Sequence, residues 1–122
     1  MAYSPMRFYQ DNPPLTTAAE LFQVDSGAAT GASSSGIAGR GIIIKQILLI
    51  NRSTAGATVT LHLVPSPGTT IANDNIIVPG VTVPANSLIT LDVSLVMEAG
   101  AAIWGFQDTD TAINVSIHGV VF

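Results

Sequence analysis

Residues 41–65 change abruptly from a continuous apolar run to a strict alternation of polar and apolar positions. Ile42–Ile50 is β-branched or aliphatic at most positions, which predicts a strand covered on both faces. The opposite sheet would cover one face, and an N-terminal arm, a loop or a neighbouring subunit the other. The next strand alternates, with Thr58, Thr60 and His62 on the outer face and Ala57, Val59, Leu61 and Leu63 on the inner face.

Similar short patterns recur to the end of the chain and predict an all-β fold. Residues 19–25 can form a first strand, and residues 101–107 follow a turn at Glu98–Gly100. The inward positions of two further strands are Ile89, Leu91 and Val93, and then Ile113, Val115 and Ile117. Residues 69–87 contain only short apolar stretches broken by prolines. We therefore predict an antiparallel two-sheet β-sandwich or jelly roll of about seven or eight strands.

The N-terminal residues 1–18 carry neither a helical nor a strand period. They contain three prolines and three of the seven aromatic residues, namely Tyr3, Phe8 and Tyr9. Because disordered segments are usually poor in aromatics, we expect an extended arm that packs on a surface, with no evident place in its own sandwich. Residues 19–122 then form a single domain, in which the Gly-, Ala- and Ser-rich stretch 26–41 is expected to be a mobile loop.

Composition narrows the function classes. Charged residues make up 10% of the chain and hydrophobic residues 48%, and the net charge is −4 with four Lys and Arg. A weakly charged surface suits a chain covered by copies of itself or by a partner, whereas nucleic-acid binding needs clustered cations. The apolar run is too short to cross a membrane, and the N-terminus lacks the features of a signal peptide. We expect a soluble homo-oligomer with no nucleic-acid or membrane partner.

No group of residues predicts a catalytic, cofactor or metal site. The chain has no cysteine, and no Gly-x-Ser-x-Gly elbow or phosphate-binding glycine pattern is present. His62 and His118 are predicted on the outer faces of their strands without acidic partners, so we interpret them as surface histidines. Asp108 and Asp110 form a turn that could hold calcium, although a solvated hairpin explains it as well. Asn51-Arg52-Ser53 and Asn114-Val115-Ser116 match the glycosylation sequon.

Trp104 and Phe106 fall on the same phase of one predicted strand. They could form a stacking platform for carbohydrate, but large aromatics usually anchor a sandwich core, and core packing is the interpretation we favour. Paired carboxylates of the kind that a glycosidase needs are not evident beside them.

Two stretches, "IKQILLINRSTAGATVTLHLVPS" and "VPANSLITLDVSLVMEAGAAIWGFQDTDTAINVSIHGVVF", resemble a class of small virion proteins of tailed phages. The shared pattern is the order of its pieces: an Ile-Leu-Leu-x-Asn strand end, a Thr-Val-Thr-Leu strand, a Pro-Ala-Asn turn and a Leu-Asp-Val strand. The resemblance covers residues 40–122 and transfers no functional residues. It implies a capsid decoration (cement) protein or a tail or fibre module.

From this resemblance we expect a non-enzymatic structural protein of the virion, assembled in the host cytoplasm. A decoration protein would bind across major capsid subunits, and by analogy a homotrimer is favoured. The alternative is a tail or fibre module that recognises a host glycan through Trp104. The candidate interaction residues are Tyr3, Phe8, Tyr9, Ile43 and Trp104.

Overall fold

The computed structural model describes residues 4–15, 17–24, 34–35, 41–65, 71, 75–109 and 111–121. These residues form strands, turns and short connections, and the all-β prediction is confirmed. None of them belongs to a helix with the length and apolar character that a membrane crossing requires. Tyr3, Asp110 and nearly all of the 26–41 stretch lie outside the described residues, so the expectations placed on them stay predictions.

Among the described residues, nine strands build two facing sheets. The first sheet has the order β1-β9-β4-β7 and the second has the order β3-β2-β8-β5-β6. The strands are β1 (Ser4–Asp11), β2 (Ala19–Val24), β3 (Ser34–Ser35), β4 (Ile42–Asn51), β5 (Ala57–Val64), β6 (Ile76–Val83), β7 (Ser87–Met97), β8 (Ala102–Gln107) and β9 (Ile113–Val121). The two-residue β3 pairs parallel with β2, whereas the pairings among the other strands are antiparallel.

The pairing of the strands is that of a jelly roll. β1 pairs with β9, β2 with β8, β4 with β7, and β5 with β6. The chain is therefore one long nested hairpin, closed at β5–β6 and rolled so that its pairs alternate between two sheets. Eight strands in two four-stranded layers, with β3 as an addition, match the double-sheet jelly roll. The sandwich prediction is thus confirmed in its jelly-roll form.

The core lies between the sheets on the faces that the alternation predicts. Val59 and Leu61 of β5 are fully buried, and so are the inward residues of β9, namely Ile113, Val115 and Ile117. Ile89, Leu91 and Val93 of β7 are partly buried and pack against this core. Each fully buried aliphatic side chain stabilises the fold by about 1.5–3 kcal/mol through the apolar surface that it removes from water.

A bulge in β4 depends on a glycine in the neighbouring strand. The register of β4 shifts between Ile44 and Gln46 relative to both β7 and β9. Gly119 of β9 lies opposite Ile44, and a Cβ atom added at Gly119 would stand 2.0 Å from the carbonyl oxygen of Ile43. Only glycine allows the two backbones to approach this closely at the bulge.

The N-terminal segment differs from the prediction. Ser4–Asp11 is an edge strand of the first sheet, so the expectation that this segment has no place in the sandwich is wrong. β6 is a second strand that the pattern did not resolve, since Pro79 interrupts its apolar residues. Both strands lie at sheet edges, where proline is tolerated because the unpaired side of the strand needs no N–H donor.

Candidate interaction surfaces

Phe8 and Tyr9, two of the predicted interaction residues, pack inside the chain's own sandwich. Phe8 is 5% exposed, and its ring stacks on Phe22 of β2 at a centroid distance of 6.2 Å. Tyr9 stacks on the same ring at 6.3 Å, and burial, followed by the nearby charge of Asp11, raises the pKa of Tyr9 to about 12. In this structure both rings join β1 to the second sheet.

The outer face of the first sheet is apolar at both ends. We call this surface the first-sheet outer face, and its residues alternate with those of the core along β4, β7 and β9. Val96 is 65% exposed and Leu88 is 57% exposed. Their neighbours on the same face are partly exposed, namely Ile43, Leu48, Ile50 and Val120.

This arrangement corrects one expectation about β4. The inward positions of the strand are buried, but Ile43 and its outward neighbours are not covered by the N-terminal segment, because β9 lies between β1 and β4. Of the covers predicted for the second face of β4, the N-terminal segment is therefore excluded over its described residues, and cover by a neighbouring subunit stays a prediction. An apolar surface of this kind on a small protein commonly marks an interaction site.

A polar row crosses the middle of the first-sheet outer face. Cross-strand partners place Arg7 beside His118, His118 beside Gln46, and Gln46 beside Asp92, from β1 at one edge to β7 at the other. His118 Nε2 lies 2.6 Å from Ser116 Oγ, and the Lys45 ammonium donates to Ser94 Oγ at 3.1 Å. The row ends in a cation at one edge and an anion at the other.

The outer face of the second sheet carries Trp104 and Phe106, and here the core interpretation was wrong. The inward residues of β8 are Ile103, Gly105 and Gln107, so both aromatics point away from the core. Glu20 of β2 and His62 of β5 are the cross-strand partners of Trp104. Trp104 is partly buried, and its Nε1 is shielded from solvent without a hydrogen-bond partner among the described residues.

The surroundings of Trp104 are less exposed than the sequence suggested. His62 lies on the outer phase as predicted, but it is only 5% exposed and its Nδ1 lies 2.8 Å from Asn75 Oδ1, so the expectation of a surface histidine is wrong for it. Burial raises the pKa of Glu20 above its usual value. The aromatic pair thus lies beside a partly buried carboxylate and a buried imidazole.

The sequence analysis missed two buried amide side chains, Asn51 and Gln107. Asn51 is 1% exposed, and its amide group donates to the carbonyl oxygens of Ala55 and Val83 while its Oδ1 accepts from Ser53. These bonds form the turn between β4 and β5 and occupy the nitrogen that glycosylation would need. A polar residue that ends an apolar strand and precedes a turn is the signal that could have identified Asn51.

An open groove adjoins this turn at one end of the first-sheet outer face. It has a volume of about 300 Å³ and is lined by Ile50, Asn51, Arg52, Asn86, Ser87 and Leu88. Asn86 adopts a left-handed backbone with φ of 52°, as the Pro-Ala-Asn turn requires. The groove continues the apolar surface formed by Ile50 and Leu88.

The acidic turn after β8 is accounted for by backbone bonding. The N–H of Thr58 donates to Asp108 Oδ1 at 2.8 Å, and this bond holds the pKa of the Asp108 carboxyl below its usual value. Asp110 lies outside the described residues. Among the residues that are described, no three His, Cys, Asp or Glu side chains come together in a way that could hold a metal ion.

No family model and no curated protein sequence matches the chain. Among solved structures, the chain is similar to a chain of the T13 IBDV viral particle, with a TM-score of 0.48 and 13% identity, and the match covers 98% of this chain and 30% of that one. It is also similar to a chain of infectious bursal disease virus Gx strain, with a TM-score of 0.40, 12% identity and the same coverage. The chain therefore spans less than a third of those chains, and the fold assignment rests on the strand order described above.

Proposed function

We propose that the chain is a non-enzymatic structural protein of a phage particle, in which it decorates the head by binding across major capsid subunits. The order of the sequence pieces in residues 40–122, which resembles small virion proteins of tailed phages, supports the phage assignment. The jelly roll is compatible with this role, because the fold is common among viral capsid domains, although it also occurs in lectins and cupins.

The observation that carries the proposal is the first-sheet outer face. Its apolar ends include Val96 and Leu88, both more than half exposed, in a chain of which only 10% is charged. Permanent assemblies favour such surfaces, because burying apolar area is favourable whereas burying unpaired charge is costly. Binding would come from many weak contacts spread over a flat sheet rather than from a single pocket.

The partners under this proposal are the major capsid protein or other virion proteins, together with sister copies of the chain in the virion. The three-fold arrangement rests on analogy with decoration proteins. Among the described residues we find none that favours three copies over two.

The copy number in the particle tests this proposal. Particles made from the genome that encodes this chain are purified, and the chain is quantified against the major capsid protein by mass spectrometry. A symmetric decoration layer predicts on the order of hundreds of copies per particle. A few dozen copies or fewer would favour a tail or fibre position, and absence from purified particles would overturn both virion roles.

A tail or fibre module that recognises a host glycan is the second candidate, and the position of Trp104 favours it. Trp104 and Phe106 lie on the outer face of the second sheet beside Glu20, and aromatic faces next to a carboxylate suit the apolar and hydroxyl groups of a sugar. Binding to an array of bacterial surface glycans tests this function. Trp104→Ala should abolish such binding and Val96→Ala, on the opposite sheet, should preserve it; no bound glycan with the unmodified protein would contradict it.

A further inference from the structure

We propose that the first-sheet outer face packs against the same face of a second copy, about a two-fold axis that runs parallel to the strands between β9 and β4. This contact follows from the pattern of side chains on the face and does not depend on the virion role. Because one copy can use the face for only one partner at a time, the dimer is the form of the chain free in solution, and it would dissociate where the face binds capsid subunits. Two-fold contacts are isologous, so the surface has to be complementary to itself. The first-sheet outer face meets that requirement in its polar row and in the apolar end that contains Ile43 and Val120.

The polar row is self-complementary under this axis. From edge to edge the row reads Arg7, His118, Gln46 and Asp92. A two-fold axis between β9 and β4 exchanges the two edges, so Arg7 of one copy faces Asp92 of the other, and His118 faces Gln46. Both charged residues are exposed in the single chain. Complementary charges at such positions set the register of an interface and disfavour other orientations.

The apolar end that contains Ile43 and Val120 is also matched to itself. Val96, Ile43 and Val120 form one row across β7, β4 and β9. The same axis places Ile43 of one copy over Val120 of the other, so branched aliphatic side chains meet on both sides. Lys45, the remaining cation of the face, is already bonded to Ser94 of its own chain and can keep its ammonium group at the margin.

The alternative two-fold axis, perpendicular to the strands along the polar row, is disfavoured by charge. It would place Asp92 opposite Asp92 and Arg7 opposite Arg7, and like charges facing each other across an interface are repulsive. A three-fold contact joins two different surfaces and gains nothing from a self-complementary row. The charges therefore select the axis parallel to the strands.

The size of the face indicates a reversible dimer. Four strands about 4.8 Å apart and about 30 Å long present roughly 500–600 Å² per copy. The two copies together would bury about 1,000 Å², which is the lower end of the range for specific interfaces. We expect a monomer–dimer equilibrium with a dissociation constant on the order of micromolar.

Charge reversal with rescue tests the contact. The dissociation constant is measured by sedimentation equilibrium for the full chain and its variants. Arg7→Asp and Asp92→Arg should each weaken the dimer by roughly 10-fold or more, because each substitution creates two repulsive contacts across the two-fold axis. The double variant carrying both reversals should recover most of the affinity, since the pairing is restored with its signs exchanged. Glu20→Lys, a charge reversal on the outer face of the second sheet, serves as the control.

Each possible result decides the inference. The inference is supported if both single reversals weaken the dimer, the double variant recovers the affinity and the control leaves the affinity unchanged. Circular dichroism and thermal melts of each variant establish that the loss of dimer is not a loss of fold. The inference would be overturned if the chain stayed monomeric at about 100-fold above the expected dissociation constant. It would also be overturned by a dimer whose dissociation constant the reversals do not change, or by a trimer.

Discussion

At the scale of single residues, Gln107 shows how a polar side chain can occupy the inward face of a strand. It is fully buried, its Nε2 donates to the carbonyl oxygen of Pro13 at 2.7 Å and to that of Ile113 at 3.3 Å, and the N–H of Ile113 donates to its Oε1 at 2.8 Å. The residue therefore joins the end of β8 to the N-terminal segment and to the start of β9. These bonds satisfy its polar atoms inside the core.

Replacing Gln107 should destabilise the protein more than its exposure alone would suggest. Gln107→Leu keeps a similar volume but leaves the N–H of Ile113 and the carbonyl of Pro13 without partners, and we expect a loss of about 2–4 kcal/mol in the free energy of unfolding. Gln10→Leu, on the exposed side of β1, should change it by less than about 0.5 kcal/mol. Urea denaturation followed by circular dichroism measures both, and equal midpoints would contradict the assigned role.

At the scale of elements, hydrophobic alternation predicted most of the central strands. The strands that it did not predict, among them β1 and β6, lie at sheet edges. Residues of β5 and β9 took the predicted faces because their apolar period is uninterrupted. β1 and β6 contain prolines, which argue against a strand in sequence but are acceptable at a sheet edge. In β8 the sequence favoured the face with the two large aromatics as the inward one. In the structure the opposite face, with Gln107, points inward, and hydrogen bonds satisfy the Gln107 side chain there.

The place of β1 in the sandwich predicts how Tyr9 titrates. Its pKa is raised by burial from 10.0 to about 12, so the neutral phenol is the form that the folded state favours. Its contribution to stability is complete below pH 10 and is lost as the pH rises through about 12. In the Tyr3→Phe variant Tyr9 is the remaining tyrosine, and we expect phenolate absorbance to rise near pH 12 or together with unfolding. A transition near pH 10 in folded protein would place Tyr9 outside the sandwich.

The bulge of β4 makes a second prediction at this scale. Gly119→Ala would force the new methyl group into the backbone at Ile43, where neither strand can yield without breaking the ladder. We expect a loss of about 3 kcal/mol or more, or a failure to fold. Gly56→Ala is the matched control, because its added Cβ would lie 3.6 Å from the nearest atom, at Thr82. Thermal melts of the two variants compare them, and similar stability would show that the bulge tolerates a side chain.

At the scale of the whole molecule, the two-sheet class followed from the sequence but the strand order did not. Most consecutive strands of this fold lie in opposite sheets, and pairs such as β1 with β9 join segments far apart in the sequence, so the strand order leaves no local signal. Of the candidate interaction residues, Ile43 and Trp104 lie on opposite outer faces, Phe8 and Tyr9 lie between the sheets, and Tyr3 lies outside the described residues. Whether an apolar face is buried or exposed becomes clear only when the positions of both sheets are known.

The proposed function and the dimer both require the first-sheet outer face to be covered when the chain is assembled. A cryo-electron microscopy reconstruction of purified particles, from the genome that encodes this chain, tests it directly. We predict a jelly-roll density on the head for each copy, in which Val96 and Leu88 are buried against another polypeptide. A particle in which this face is open to solvent, or which contains no density for the chain, would contradict the proposed role of the first-sheet outer face.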